Sequence, residues 1–522
     1  MHAYVLTVAL AAAAQAPLPG ASESDAIKHT ETPERVAEGY HPQLYWQDSD
    51  ITLSAPLELW VDGHMASALP VDTSGNTMEQ ATTLLPRLRL GFALNTGRAL
   101  QVVNLTLDYQ HELTQTLTGD VPQWDGHGYL PSTAETALLR KAWARAAFGP
   151  WLQLGGGVTT SHWGLGLISN QGNTAWKTGE GRFYSPKAAD RLLRGQISSL
   201  MSQEHGLLVA INADRVLDDD ALLTARELGL DSDQSGDRAT QVSAAIYVGY
   251  EQTSGMGVYV AHRQQGGALG GETDAWVADV TARHASTETW GSWSVAGELA
   301  WIGGTTSLAA NPQFPKQDIE QLGAALSAKL MMGSFGAVID GVLATGDQNV
   351  DDGYQHGFRA DPNFQLGSLL FEHVGAAQSA RSYGTASDPG LVGYPSHGLE
   401  RFPTRGSITN TLAFFPRAVY QPSSSVELYG GPMVAFRLVD PIDPLNSRLA
   451  GGANRNALGG KPGTLLGTEL DVGIRYRVGF GTSELLLGAE GAYLIPCSAF
   501  VDASGDAMAP VYGARASLAY RL

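Results

Sequence analysis

Apolar residues recur at every second position along most of this chain. Leu88, Leu90, Phe92 and Leu94 share one face of a predicted strand. The turn Asn95-Thr96-Gly97 follows, then Val103, Leu105, Leu107 and Tyr109. The same period governs Val242, Ala244, Ile246, Val248 and Tyr250, with Gly255 and Gly257 near the turn into Val258 and Val260. Trp276 to Ala282 precedes Trp293 to Trp301, and Leu322–Leu330 pairs with Phe335–Leu343 across Gly333-Ser334. Leu470 to Val478 turns at Gly479-Phe480-Gly481 into Leu485 to Tyr493. Period-2 alternation broken by Gly- and Asn-rich turns predicts antiparallel hairpins from end to end.

The polar positions decide what those hairpins build. Charge falls out of phase with the apolar set: Arg87, Arg89, Asp108, Asp279, Glu298, Lys329, Asp340, Glu427, Arg437, Glu469, Asp471, Arg475, Arg477, Glu490, Arg515 and Arg521. A β-sandwich also alternates, with its polar face toward solvent. Three features favour a barrel in a bilayer. The predicted strands are about nine to eleven residues long, enough to cross at a tilt. Trp276, Trp301, Tyr250 and Tyr493 sit at apolar-face ends, as an interface girdle requires. The apolar face also holds many Ala and Gly, which lipid accepts but a packed core would waste.

Connections alternate between short turns (95–97, 254–257, 333–334, 479–481) and long Gly-, Pro-, Asn- and Asp-rich segments (159–196, 216–240, 303–319, 345–364, 378–408, 439–464). The expected fold is therefore all-β: one transmembrane antiparallel up-and-down barrel of about 18 strands (16–18), with short periplasmic turns and long extracellular loops. The final strand alternates too. Leu518, Tyr520 and Leu522 share a face, an ending of the kind that outer-membrane barrels present to their assembly machinery, although Leu stands where Phe is usual.

Composition agrees. Of 522 residues, 62 are Gly, 11 Trp and 18 Tyr, and only 16% are charged. Tyr4–Ala14 is an apolar, Ala-rich core before Ala14-Gln15-Ala16, so residues 1–16 read as a signal peptide, with cleavage as late as 21. Residues 17–50 read as a polar tail or small plug, the tail being favoured, and 51–522 as the barrel. Beyond the leader no run is long and apolar enough for a transmembrane helix. The single Cys497 can form no internal disulfide. A net charge of −19 excludes nucleic acid as a partner. Outer-membrane lipid and the assembly machinery are the expected partners, in the outer membrane of a Gram-negative bacterium.

Three stretches, LPRLRLGFALNTGRALQVVNLTLDY, GGGVTTSHWGLGLISNQGN and LATGDQNVDDGYQHGFRADPNFQLGSLLF, together resemble large alginate-export-like and porin-like outer-membrane barrels, including an uncharacterised branch of them. The resemblance covers about half the chain in scattered pieces. It implies a monomeric barrel of about 18 strands with an electrostatically lined lumen. It does not imply alginate, because a polyuronate conduit is strongly positive and the inward set here mixes signs.

The expected function is a channel for small polar solutes or an extended polymer such as a polysaccharide, selecting by pore width and by a mixed Arg/carboxylate lumen. Arg87, Arg89, Asp108, Glu298, Asp340, Glu427, Arg437, Glu469, Asp471, Arg475, Arg477, Glu490 and Arg515 are the lining candidates. The alternative is a structural or adhesive barrel with acidic surface loops. Asp231, Asp233, Ser235 and Asp237 space oxygens like the front of a calcium loop, as do Asp347, Asn349 and Asp351. Both lack the terminal Glu, since Val242 and Phe358 stand in its place. No cofactor other than such calcium is expected, and no enzyme. Ser161 and His162 are neighbours on a strand, so their side chains point to opposite faces and cannot form a catalytic pair.

Overall fold

The computed structural model describes residues 44–522 except 49–50, 79–80, 97–103, 116, 120–134, 150, 173–178, 184–188, 203–204, 219–237, 251, 267–270, 309–312, 350–351, 388–402 and 481–482. The expected leader, most of the expected tail, the 231–237 segment and Asp351 lie outside the described residues.

Eighteen strands form the wall. In chain order they are β1 Leu57–Ala66, β2 Ala81–Asn95, β3 Asn104–Gln115, β4 Glu135–Phe148, β5 Leu152–Thr160 and β6 Arg191–Ser202. Then come β7 Leu207–Asp218, β8 Arg238–Val248, β9 Gly255–Gly266, β10 Thr273–Glu288, β11 Gly291–Thr306 and β12 Gln317–Met332. The last six are β13 Phe335–Ala344, β14 Thr411–Ser423, β15 Val426–Arg437, β16 Leu465–Phe480, β17 Ser483–Pro496 and β18 Val511–Arg521. Each pairs antiparallel with the next, and β18 closes on β1 through Arg521↔Glu58 to Gly513↔Ala66. Leu57 and Leu522 exchange two 2.9 Å backbone bonds at the seam. Closure removes the edges of the eighteen-strand wall, the condition for placing backbone in lipid. Among the described residues no helix is long and apolar enough to cross a membrane. A short hairpin, Leu44–Asp48 with Ile51–Ala55, extends the sheet; its first strand lies in the segment expected as tail and its second in the segment expected as barrel.

The alternation sorts the side chains as expected. Val242, Ile246, Val258, Leu299, Ile339, Leu470 and Val472 are exposed on the outside, an apolar belt of the kind only lipid covers. Trp276, Trp301, Tyr493 and Tyr512 mark one end of that belt, Trp151, Trp290, Phe335 and Phe480 the other. Tyr250 is a correction. It stands in the turn after β8, donates its N–H to Gly206 (2.9 Å) and packs against Tyr247 (centroids 6.4 Å), because Gly249 ends the strand with φ +77°.

Strands run from 9 residues (β5) to 16 (β10), longer than expected, so several project past the belt. The expected short turns lie on the rim that carries both ends of the wall, and the expected long segments lie on the other rim. Segments 345–364 and 378–408, read as separate loops, are one connection, 345–410. It carries a π-turn, Leu370–Gly375, and helix α1, Ala376–Ser387. A second short helix, α2 Pro444–Leu449, is capped by Asp443, whose side chain accepts from Asn446 N.

Candidate functional site

Two loop-rim connections turn into the barrel and carry a buried cluster that includes Trp163, Leu167, Phe358, Leu370 and Val374. The first follows β5. Trp163 N bonds Ser169 O (3.1 Å) and Gly166 N bonds Trp163 O (2.8 Å), tightening residues 163–169 into a compact turn. Gly164 has φ +55°, and a Cβ there would lie 2.5 Å from Glu298 Oε2. Only glycine meets both demands.

That glycine turn aims backbone N–H groups at the wall. Glu298 on β11 accepts from Leu165 N (2.5 Å) and Leu167 N (3.3 Å), and Asp279 on β10 accepts from Trp163 Nε1 (2.6 Å). Further along, Glu427 on β15 accepts from Gly179 N (2.5 Å) and Gly181 N (3.2 Å). The same loop offers carbonyls to guanidiniums. Arg140 on β4 reaches Gln171 O (2.5 Å), Arg89 on β2 reaches Gly172 O (3.3 Å) and Arg417 on β14 reaches Gly181 O (3.0 Å). The loop therefore spans the lumen, from β10 and β11 to β2 and β4.

The second crossing is residues 345–377. Glu469 on β16 accepts three successive N–H groups, from Ser368 (2.5 Å), Leu369 (2.8 Å) and Leu370 (2.8 Å), a backbone nest around one carboxylate. The two crossings hold each other. Asp361 N bonds Leu167 O (2.8 Å), Asn170 N bonds Asp361 Oδ2 (2.9 Å) and Asn170 Nδ2 bonds Asn363 O (3.2 Å). Beside them a small cavity is lined by His64, Gln365, Glu372, His373, Glu490 and Arg515.

Every expected lining residue lies on the inward side of the wall, and each meets a partner or a neighbouring charge there. Asp108 pairs with Lys141, Asp340 with Arg417, and Arg477 with Glu484 (2.7 Å). Arg475 lies 3.3 Å from Glu490 and 3.9 Å from Glu427, stacked over Tyr429 (4.5 Å). Arg515 takes Asp62 (2.8 Å) and approaches Glu490 (3.6 Å). Arg89 approaches Glu58 (3.5 Å), and Arg437 donates to Pro462 O (2.9 Å) at the loop rim. Arg87 and Asp471 are buried, Asp471 on the same face as Glu469.

Several inward charges escaped the sequence reading. Arg194 is held by Asp214 through two bonds (2.6 and 2.7 Å), both side chains almost fully buried. Arg263 is equally buried, and Arg145 joins the same wall from β4. Period-2 counting outward from Leu193–Ile197 and from Val258–Val260 would have found Arg194 and Arg263. Arg140 needed the register shift at Gln110/His111, which breaks the count between β3 and β4. Arg417 shares its inward face with the apolar Phe415 and Val419, so no polar/apolar alternation marks it in the sequence.

Outside the wall, Asp347 accepts from Asn349 N (3.0 Å) and His356 N (3.2 Å), and burial pushes its carboxyl up against those two bonds. Asp347 thus caps its own turn through both oxygens. No group of three His, Cys, Asp or Glu side chains gathers for a metal among the described residues. At the loop rim, Asp72 receives Asn76 Nδ2 (2.6 Å), Arg381 Nε of α1 (2.7 Å) and two backbone N–H groups. Burial opposes its ionisation, but these bonds outweigh burial and hold the carboxyl below its ordinary range.

A closed eighteen-strand antiparallel barrel with an apolar belt and inward loops is the architecture of a porin-type outer-membrane barrel. Comparison with solved structures agrees. The chain is similar to a BenF-like porin from Pseudomonas fluorescens Pf-5, at TM-score 0.52 and 12% identity, over 90% of this chain and 98% of that one. Pseudomonas aeruginosa OpdQ matches at TM-score 0.49 and 11% identity (90% and 98%), and P. aeruginosa OccK2 (OpdF) at 0.49 and 11% (90% and 97%). At such identity the likeness to the BenF-like porin is one of fold. No protein-family model and no curated protein matches the chain. The porin-like part of the expected resemblance stands; the alginate-export-like part finds no support among these structures.

Proposed function

We propose that this protein is an outer-membrane channel of a Gram-negative bacterium. It would act as a single copy, inserted by the barrel-assembly machinery, and would pass small polar solutes through a constriction built by residues 161–172, 179–183 and 352–377. The observation that carries the reading is the loop-crossed interior with its uneven charge. Arg87, Arg89, Arg140, Lys141, Arg145, Arg194 and Arg263 on β2–β9 outnumber Asp108 and Asp214 there, while Asp279, Glu298, Asp340, Glu427, Glu469, Asp471, Glu484 and Glu490 on β10–β17 outnumber Lys329, Arg417, Arg437, Arg475 and Arg477.

Opposed rows of charge set a field across the lumen that orients dipolar solutes and ranks ions. The carboxylates on β10–β17 are largely taken up by backbone N–H groups and arginines, so the net positive wall of β2–β9 biases the conduit toward anions. The crossings narrow the path, which favours small solutes over an extended polymer.

Purified protein inserted in planar bilayers under a salt gradient tests this. Steady ohmic steps with a reversal potential displaced toward the anion are expected. Silence from protein shown to be inserted would overturn the channel reading in favour of a closed, structural barrel.

A further inference from the structure

One interval of the wall is built unlike the rest. Between β14 and β15 the register runs Phe414↔Val434, then resumes at Ala418↔Gly430. The three pairs between them are missing, and their centre places Pro416 opposite Pro432. Both prolines are exposed on the outer, lipid-facing side, near the middle of their strands. Neither has an N–H to give, so two strands forgo their ladder donors at the same level. Prolines in sheets are ordinarily kept to edges and bulges, and lipid offers no substitute partner. Gly431 lets the strands touch all the same: a Cβ there would lie 2.0 Å from Pro416 O. The wall is shut at this point by contact rather than by paired hydrogen bonds.

Directly behind the interval aromatic and apolar side chains surround the paired Arg417. Phe415, Val419, Met433 and Tyr429 are buried there, Arg417 lies over the Phe415 ring (4.6 Å) and pairs with Asp340, and Phe183 of the first crossing loop packs on Phe415 (centroids 5.8 Å) and Tyr429 (4.9 Å). Packing of that loop explains Phe183. It does not explain why both strands omit ladder donors at the same level of the wall.

We infer that the Pro416/Pro432 interval is a lateral portal, through which apolar aromatic molecules dissolved in the bilayer reach the Phe183–Phe415–Tyr429 patch inside the barrel. Parting β14 from β15 here breaks no ladder bond at the proline pair. The aromatic rings behind it supply a face for a flat apolar guest. This route goes beyond axial passage of polar solutes and does not depend on it.

The test is photolabelling in liposomes with trifluoromethyl-iodophenyl-diazirine, an apolar aromatic carbene precursor that resides in the bilayer, followed by peptide mapping. In the native protein, inward Phe415 and Met433 should be labelled along with outward Phe414 and Val434. In the double variant Pro416→Val, Pro432→Val, which restores both donors with strand-favouring residues, inward labelling should fall on the order of tenfold, the effect of two net hydrogen bonds at the weak end of their range. Outward labelling should stay. Pro432→Val alone restores one donor and should give an intermediate loss, which keeps the test open if the double variant inserts poorly. Two outcomes overturn the portal: inward residues unlabelled in the native protein, or labelled equally in the double variant, which would mean entry along the aqueous lumen. Single-channel conductance of the same samples is expected to be unchanged by the substitutions, so failure of the portal and failure of the channel are read separately.

Discussion

The wall from β2 to β9 and the wall from β10 to β17 meet the same crossing loop differently. On the second, Asp279, Glu298 and Glu427 take its N–H groups and Arg417 takes the Gly181 carbonyl; on the first, Arg89 and Arg140 take carbonyls only. A peptide segment laid across a charged lumen has donors and acceptors to place, and it places each on a side chain of opposite sign. Inward charges are thus also the fasteners of the constriction. The difference teaches that a charge ladder and a loop anchor can be the same residues, since a buried charge is tolerated only when partnered.

The largest effect should come from a contact that belongs to the cationic wall alone. Asp214→Ala leaves Arg194 buried without its bidentate partner, and should lower unfolding stability by about 3–5 kcal/mol in denaturant titrations followed by gel mobility. Conductance of the surviving folded fraction should not change, because no loop is held there. Glu469→Ala should act the other way. Losing the acceptor of three N–H groups weakens the second crossing by roughly 2–3 kcal/mol, read as larger and noisier single-channel steps. Unchanged steps would break the idea that carboxylates fasten the constriction.

A smaller effect is expected for Arg145→Gln. Removing one lumen cation should shift the anion/cation permeability ratio by about threefold, roughly one kT of potential, toward cations. An unmoved reversal potential would mean that the cationic wall does not face the ion path. The smallest effect concerns the rim. Asp72 has its carboxyl held below the ordinary value, so the docking of α1 through Arg381 is intact above the unfolded carboxylate range and is lost as pH falls through the lowered folded value. Protease cutting of α1 should rise only in that acid window, and Asp72→Asn should make cutting independent of pH.

The strands were legible because lipid on one side and a polar interior on the other write a two-residue period into each. Leu470 to Val478 against Glu469 to Arg477 is enough to read β16. What escaped had no period. Residues 366–377 are apolar without alternation, and they form a π-turn and helix folded inward. Arg140 escaped because a register shift moved the count. The glycines of the 161–183 loop were visible as turn residues. Their task of pointing N–H groups at Glu298 and Glu427 was not, since those partners lie 133 and 248 residues away.

The sequence by itself determined the barrel, its lipid face and part of the inward charge, because alternation is a local property enforced by solvent on each side of every strand. Tertiary structure alone decided which carboxylate fastens which loop, that cations outnumber acids on β2–β9 and acids outnumber cations on β10–β17, and that Pro416 stands across from Pro432. These are distances between residues far apart in the chain, fixed only when eighteen strands close in one register.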